Sequence, residues 1–376
     1  MSTSRRTFLQ TGAMAAAAWP FRGPVSAQAQ TPRPAMPYVD GLTFFSQNPA
    51  DVAASGLSAF ICDVSAGEQV KQADGSTRYF RSFEACARAI TQQKRRLDAG
   101  DVPGAFLATR GAEIAAAHRA GRTAVFFQFQ GCEPIGEALW RLDLFHALGL
   151  RVLQITHHHD NAWGGGAIER NWSGLTTVGR AGVDRLHALG IIPDLSHGSD
   201  LTALDVLRMS KRPVIVSHGA ARAIVNNARC TSDEVIRGVA DSGGIIGIFM
   251  MSFWLTTDPQ PTVDAYIAQI RHVIKVGGLD AVGIANDYPV SGEASAVAAG
   301  NDNAKIIGNY HPWWDSIAKA GVLGFDTRPT HVVIPALNNL RRMFLIHEAL
   351  DRAGFHAAEV EKIMGGNWIR VLSTLA

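Results

Sequence analysis

The sequence predicts an α/β chain folded as a (β/α)8 barrel, the TIM-barrel architecture. Two observations predict it. Eight short, nearly continuous apolar runs recur along the chain, and amphipathic stretches at helical spacing separate them. Runs apolar on every residue suit strands buried on both faces of a parallel sheet. They are Tyr38–Phe45, Ala59–Val64, Thr123–Phe129, Arg151–Ile155, Ile191–Leu195, Pro213–Ser217, Gly244–Met250 and Ala281–Ala285. The helical stretches between them include Ser82–Asp98, Gly136–Leu148, Val178–Leu189, Asp200–Met209, Asp233–Ser242 and Val263–Val276. Thr176, Ser199 and Ser232 stand where N-caps belong. A doubly wound open sheet is the alternative, but no G-x-G-x-x-G follows the first strand. Tyr288 to Pro335 is long for a strand-to-helix loop and rich in Gly, Ala, Asn and Pro, so it is expected to lie over the C-terminal face of the barrel. Leu337–Ala353 and Ala357–Met364 then close the domain as helices.

The first 29 residues stand apart from the barrel, which takes residues 30–376. Ser4-Arg5-Arg6-Thr7-Phe8-Leu9-Gln10 resembles a twin-arginine export signal, a short apolar stretch follows, and Val25-Ser26-Ala27 offers a cleavage site, with Ala29 as a second. The expected location is therefore the periplasm. No Cys lies in this segment for a lipid anchor, and no later stretch approaches the ~20 apolar residues that span a bilayer. Removing residues 1–27 takes away Arg5, Arg6 and Arg22 and no acid, which carries the formal charge from +2 to −1. A nearly neutral chain without a basic stripe excludes nucleic acid as a partner. Cys62, Cys86, Cys132 and Cys230 show no CxxC spacing and define no metal site, while an oxidising compartment leaves disulfide pairing open.

Polar residues at the C-terminal ends of barrel strands are the natural catalytic candidates. The third strand runs out at Gln130-Gly131-Cys132-Glu133, the fourth at Thr156-His157-His158-His159, the fifth at Asp194-Leu195-Ser196-His197, the sixth at Ser217-His218 and the eighth at Asn286-Asp287. His197 and His218 occupy equivalent places on successive strands, which suits two ligands of a zinc-type ion. Asp287 is placed to accept a proton, and His157 to orient or polarise a carbonyl.

The same residues carry a family resemblance. Asp194-Leu195-Ser196-His197, Arg212-Pro213-Val214-Ile215-Val216-Ser217-His218, Arg229 and Val282-Gly283-Ile284-Ala285-Asn286-Asp287 resemble the membrane (renal) dipeptidase family of zinc metallopeptidases. So do Gly174-Leu175-Thr176, Thr156-His157 with Asn161 and Trp163, and Gly365-Gly366-Asn367-Trp368-Ile369-Arg370, in the same order over nearly all of the chain after the leader. The resemblance implies a binuclear zinc barrel that hydrolyses dipeptides. It implies that His197 and His218 bind one metal, that His157 contacts the substrate, that Asp287 is the general base and that Arg229 binds the substrate carboxylate.

The sequence also departs from that pattern. The family's first strand carries Asp-Gly-His-x-Asp, and here it reads Asp40-Gly41-Leu42-Thr43-Phe44. The bridging Glu of the third strand is Gln130, and the aromatic hydroxyl after the seventh strand falls at Met251 or Ser252. One ion is expected, the second site being lost. Its third ligand is sought among Glu133, His157, His158 and Asp287, with Gln130 as a further candidate. The leading expectation is a dipeptidase-like hydrolase for a small peptide or amide, with a homodimer as the candidate assembly. A tailoring enzyme for an exported peptide or natural product, and a non-catalytic binding protein, are the other two readings.

Overall fold

The computed structural model describes residues 34–71 and 77–375; the expected export leader lies outside the described residues. Eight parallel strands form the barrel: β1 (Tyr38–Asp40), β2 (Leu57–Asp63), β3 (Thr123–Gln130), β4 (Leu150–Gln154), β5 (Ile192–Asp194), β6 (Ile215–Gly219), β7 (Ile245–Ile248) and β8 (Val282–Ile284). They neighbour one another in sequence order, and the ring closes where Gly41 N donates to Ile284 O (2.8 Å) and Asn286 N donates to Leu42 O (3.0 Å). All eight expected strands are present, and the helices follow as read: α1 (Phe83–Asp98), α2 (Arg141–Ala147), α3 (Thr177–Leu189), α4 (Asp200–Met209), α5 (Asp233–Asp241) and α6 (Val263–Gly277). Thr176, Ser199 and Ser232 cap α3, α4 and α5 through side-chain oxygens that accept from Gly179, Thr202 and Val235 N–H groups.

Three boundaries differ from expectation, each for a local reason. The first strand ends at Asp40 rather than Phe45, because the Asp40 carboxylate accepts the Leu42 N–H (3.1 Å) and turns the chain. The helix expected from Gly136 starts at Arg141, since Pro134 and the left-handed Gly136 (φ +55°) hold that stretch in turns. The helix expected from Leu337 starts at Arg342 as α8 (Arg342–Arg352), after a turn in which Asn339 bonds the Arg341 N–H. A hairpin (Glu68–Lys71 with Thr77–Phe80) and a short strand (Ala105–Leu107) beside the start of β3 were not expected. All four cysteines are free and buried, so no disulfide staples the fold.

Strand residues two apart share a face, and on the inward face the chemistry changes with height. The bottom is apolar: Val39, Ala59, Ile61, Ala124, Phe126, Val152, Ile192, Ile215 and Ile245 form one buried cluster. One step higher the same strands present Gln128, Gln154, Asp194 and Ser217, all buried. Higher again come Asp63, Gln130 and the site. The polar layer is internally bonded: Asp194 accepts from Gln128 Nε2 (2.8 Å), from Ser196 Oγ (2.8 Å) and from Ser217 N (2.8 Å) and Oγ (2.6 Å).

The barrel is filled from below by the last helix, α9 (Asn367–Leu372), which follows a π turn over Lys362–Gly366. Its Trp368 joins the apolar cluster, and the Trp368 indole N–H donates to Ile284 O (2.9 Å). Three glycines make room for the ring: a Cβ would stand 2.1 Å from it at Gly41, 2.5 Å at Gly283 and 3.0 Å at Gly247. A Trp368→Ala chain is therefore expected to lose roughly 3–5 kcal/mol of stability, because no neighbouring side chain can close the gap. Urea unfolding followed by circular dichroism measures it.

The segment from Tyr288 to Pro335 crosses the C-terminal face, as its length predicted. It contains α7 (His311–Lys319), which puts Trp313 5.7 Å from the His158 ring and 6.3 Å from Trp254. It is tied down where Ser252 Oγ meets His331 Nδ1 (2.7 Å) and where Asn227 Nδ2 donates to Gly324 O (2.8 Å).

Candidate active site

The strand-end residues converge. His197 Nε2 faces His218 Nε2 at 2.8 Å, and His197 Nδ1 faces His158 Nδ1 at 3.0 Å. His157 stacks on His197 with ring centres 4.5 Å apart and lies 4.2 Å from the His158 ring. Asp287 Oδ2 is 3.9 Å from His218 Nε2. His218 Nδ1 bonds Ser217 Oγ (2.8 Å), which links the imidazoles down to the Asp194 layer. Three of these residues leave their strands in the left-handed region: His158 (φ +61°), His197 (φ +64°) and Asp287 (φ +58°). That conformation is uncommon without glycine, though His and Asp tolerate it better than most, and clusters of it mark functional sites.

Burial sets the electrostatics. All four imidazoles are pushed well below the ordinary histidine range by burial, with Arg81 adding to the effect on His157 and Arg229 on His158, His197 and His218. They are neutral near pH 7, the form that binds a metal. Burial pushes Asp287 up to about 7, against the pull of Arg229 and of a hydrogen bond from the Gln130 side chain. Arg229 is pulled down to about 10 by burial, with Asp287 opposing. Its guanidinium is buried over the Phe249 ring (5.2 Å) and the Trp254 ring (5.4 Å), Nη2 reaches His218 O (3.3 Å), and Nε has no partner.

The expected metal residues fall into two groups. Among the described residues, the metal-capable cluster is His157, His158 and His197, whose ligand atoms all lie within 4.8 Å of one another. His218 joins it through His197 alone. The contacts of 2.8 and 3.0 Å on His197 are hydrogen-bond lengths, shorter than the roughly 3.3 Å that two nitrogens keep around one tetrahedral zinc. A small outward movement of either neighbour makes room, and neutral imidazoles with free lone pairs fit the ion. Glu133 and Gln130, considered as additional ligands, are not in the cluster. Gln130 bonds Asp287 instead, and Glu133 stands with Asp63 and Arg81 at the exits of β2 and β3. At the first-strand position, Leu42 is fully buried and its carbonyl accepts the Asn286 and Asp287 N–H groups, while Asp40 is held by Asn286 and pushed up to about 7 by burial. Ser252, one of the two residues at the aromatic-hydroxyl position, spends its own hydroxyl on His331.

Sequence reasoning passed over Asp63 and Arg81. Asp63 ends β2 and was open to the same strand-end rule as the histidines. Arg81 follows the unexpected hairpin, and no periodicity marks it.

A closed parallel barrel whose C-terminal strand ends gather histidines around an aspartate and a buried arginine defines a barrel metallohydrolase. The chain belongs to the membrane dipeptidase family (Peptidase family M19), which matches residues 63–305. Members of that family are metal-dependent peptidases, and the histidine cluster agrees with this. Dipeptidase tcpJ from Claviceps purpurea (strain 20.1) is 30% identical over 260 residues, 68% of this chain and 51% of that protein, so the chain spans about half the length of this curated relative. Among solved structures, an amidohydrolase from Pseudomonas aeruginosa is similar with a TM-score of 0.73 at 25% identity, over 90% of this chain and 96% of that one. A metallo peptidase from Rhodobacter sphaeroides, solved with a phosphinate mimic of the dipeptide L-Ala-D-Ala, shares the fold with a TM-score of 0.70 at 18% identity, over 91% and 99% of the two chains. No helix among the described residues is long and apolar enough to cross a membrane.

Proposed function

We propose that this chain is an exported, periplasmic dipeptidase-type hydrolase that cleaves a dipeptide or a related small amide with one bound metal ion. The observation that carries the reading is the convergence of His157, His158, His197, His218, Asp287 and Arg229 at one mouth of the barrel. The fully buried Leu42 supports a single ion, because a hydrocarbon side chain offers no ligand where the family's first metal would take a histidine. The residues 1–29 are assigned as a twin-arginine leader on their sequence alone.

His197 is the central ligand. An imidazole gives one ion one nitrogen, so the ion would be held either on the Nε2 edge with His218, as the family pattern has it, or on the Nδ1 edge with His158. The ion supplies Lewis acidity toward a carbonyl and makes water more acidic. The protein does the rest. Arg229 grips the substrate carboxylate, with its guanidinium held against the stacked Phe249 and Trp254 rings and already desolvated. His157 lies beside the scissile carbonyl and donates to its oxygen. Asp287 takes the proton of the attacking water and delivers it to the leaving nitrogen as the C–N bond breaks. The Gln130 amide bonded to Asp287 fixes the carboxylate without adding a charge.

The test is a dipeptide panel that includes L-Ala-D-Ala, run on protein purified without chelator and without added affinity histidines. Both amino acids should be released, activity should vanish with a chelator, and zinc should restore it. Bound zinc with no hydrolysis of any peptide turns the reading toward a tailoring reaction. No metal and no hydrolysis turns it toward a binding protein.

A further inference from the structure

Arg81 and Glu133, outside the histidine cluster, each carry a buried polar atom without a partner at the same mouth. Arg81 is only 6% exposed; its Nε donates to Ser65 Oγ (3.0 Å), yet its Nη1 is buried and unbonded. Glu133 Oε2 is likewise buried and unbonded. The Glu133 carboxylate is folded back over Gly131, where a Cβ would stand 2.1 Å from Oε2. Gly131 sits at φ +129°, a backbone that side chains rarely adopt. Asp63 completes the wall: its carboxylate accepts from Ser65 N (2.9 Å), Ser65 Oγ (3.0 Å) and Gln130 N (3.2 Å). Asp63 thus has partners of its own, and Glu133 keeps an oxygen to spare.

An unsatisfied buried carboxylate oxygen is costly, and one that lines a substrate mouth is a place for an incoming donor to satisfy. The ring order says which group. Glu133 follows β3, whereas Arg229 lies in the loop after β6 and bonds His218 O at the end of that strand, three strands away in a ring of eight. Asp287 after β8 and His157 after β4 lie between them on either side. An acidic and a cationic side chain, both buried, therefore stand on two sides of the reacting groups. That is the complement of a molecule with a cation at one end, a carboxylate at the other and an amide between.

We propose that Glu133 receives the free ammonium group of the substrate, with Arg81 and Asp63 as positioning residues. The proposal rests on the dipeptidase reading and narrows it to peptides with an unblocked N-terminus. Arg81 has a defined part in it. The guanidinium is anchored on Ser65 and opposes the effect of burial on Glu133, so it favours the ionised carboxylate that an arriving ammonium also favours.

The experiment compares L-Ala-D-Ala with N-acetyl-L-Ala-D-Ala on the wild-type chain and on Glu133→Gln. The wild type should prefer the free dipeptide by at least about tenfold in kcat/KM, and Glu133→Gln should erase most of that preference by raising KM for the free dipeptide about tenfold, the loss of one charge-assisted bond. Its kcat should stay within about threefold and its KM for the acetylated peptide should barely move, a split that a folding defect would not give. Equal use of the two peptides by the wild type, or an unchanged preference in Glu133→Gln, overturns the ammonium site while the hydrolase reading stands. If neither peptide is cleaved, the hydrolase reading has failed, and calorimetric binding of the same two peptides decides the site. Tighter binding of the free dipeptide that Glu133→Gln abolishes supports it, and indifference to either change overturns it.

Discussion

A His197→Ala chain should carry almost no metal. The wild-type protein is expected to hold about one equivalent of zinc per chain, and the variant below about a tenth, since His197 is the one imidazole in contact with both edges of the cluster. Hydrolysis should fall by at least about a thousandfold, the size of effect expected when several kcal/mol of transition-state stabilisation disappear. Elemental analysis of the two proteins after gel filtration gives the stoichiometry. The neighbours then say which edge the ion uses. Loss of zinc from His218→Ala with retention in His158→Ala assigns the Nε2 edge, and the reverse assigns the Nδ1 edge. Full zinc in His197→Ala would remove the cluster as the metal site.

Asp287→Asn should keep its metal and lose its rate. Removing a general base typically costs about a hundredfold to ten-thousandfold in kcat, and the amide, nearly the same shape, leaves the hydrogen bond with Gln130 available. KM should change little, because Arg229 still binds the carboxylate. The pH profile carries the same information. A base works only when it is ionised, so kcat/KM should fall as the pH drops through the Asp287 pKa. Burial, helped by Asp63 and Asp194, pushes that value up to about 7 against the pull of Arg229, so the acid limb should lie near 7. In Asp287→Asn that limb should vanish from the residual activity. A variant that keeps both rate and limb would move the base elsewhere.

The parts legible in the sequence were those governed by one-dimensional patterns. Strands buried on both faces show as apolar runs, and all eight were found; caps such as Ser199 announce their helices. Strand ends map onto the active face of a barrel, so His157, His197, His218 and Asp287 could be named before any coordinates. What remained hidden depends on side chains meeting from distant segments. Arg81 reaches the site from a polar hairpin, Trp254 from a loop after β7 and Trp313 from a helix more than 150 positions beyond the His158 it covers. Gln130 could be seen to be a lost acid, but its hydrogen bond with Asp287 could not. Glu133, considered as a relocated ligand, stands apart from the histidine cluster for the same reason: three residues beyond a strand end, only the turn at Gly131 decides where a carboxylate goes.

Trp368 also bears on how the molecule is made. Its ring rests against glycines on β7 and β8 and at the exit of β1, and its indole N–H is bonded to β8. The earliest strand of the barrel and the two latest thus share a single plug carried on the final helix. A nascent chain that has emerged as far as β8 has all its staves but lacks the ring that packs beneath their apolar layer. Completion of the fold must wait until translation has delivered α9.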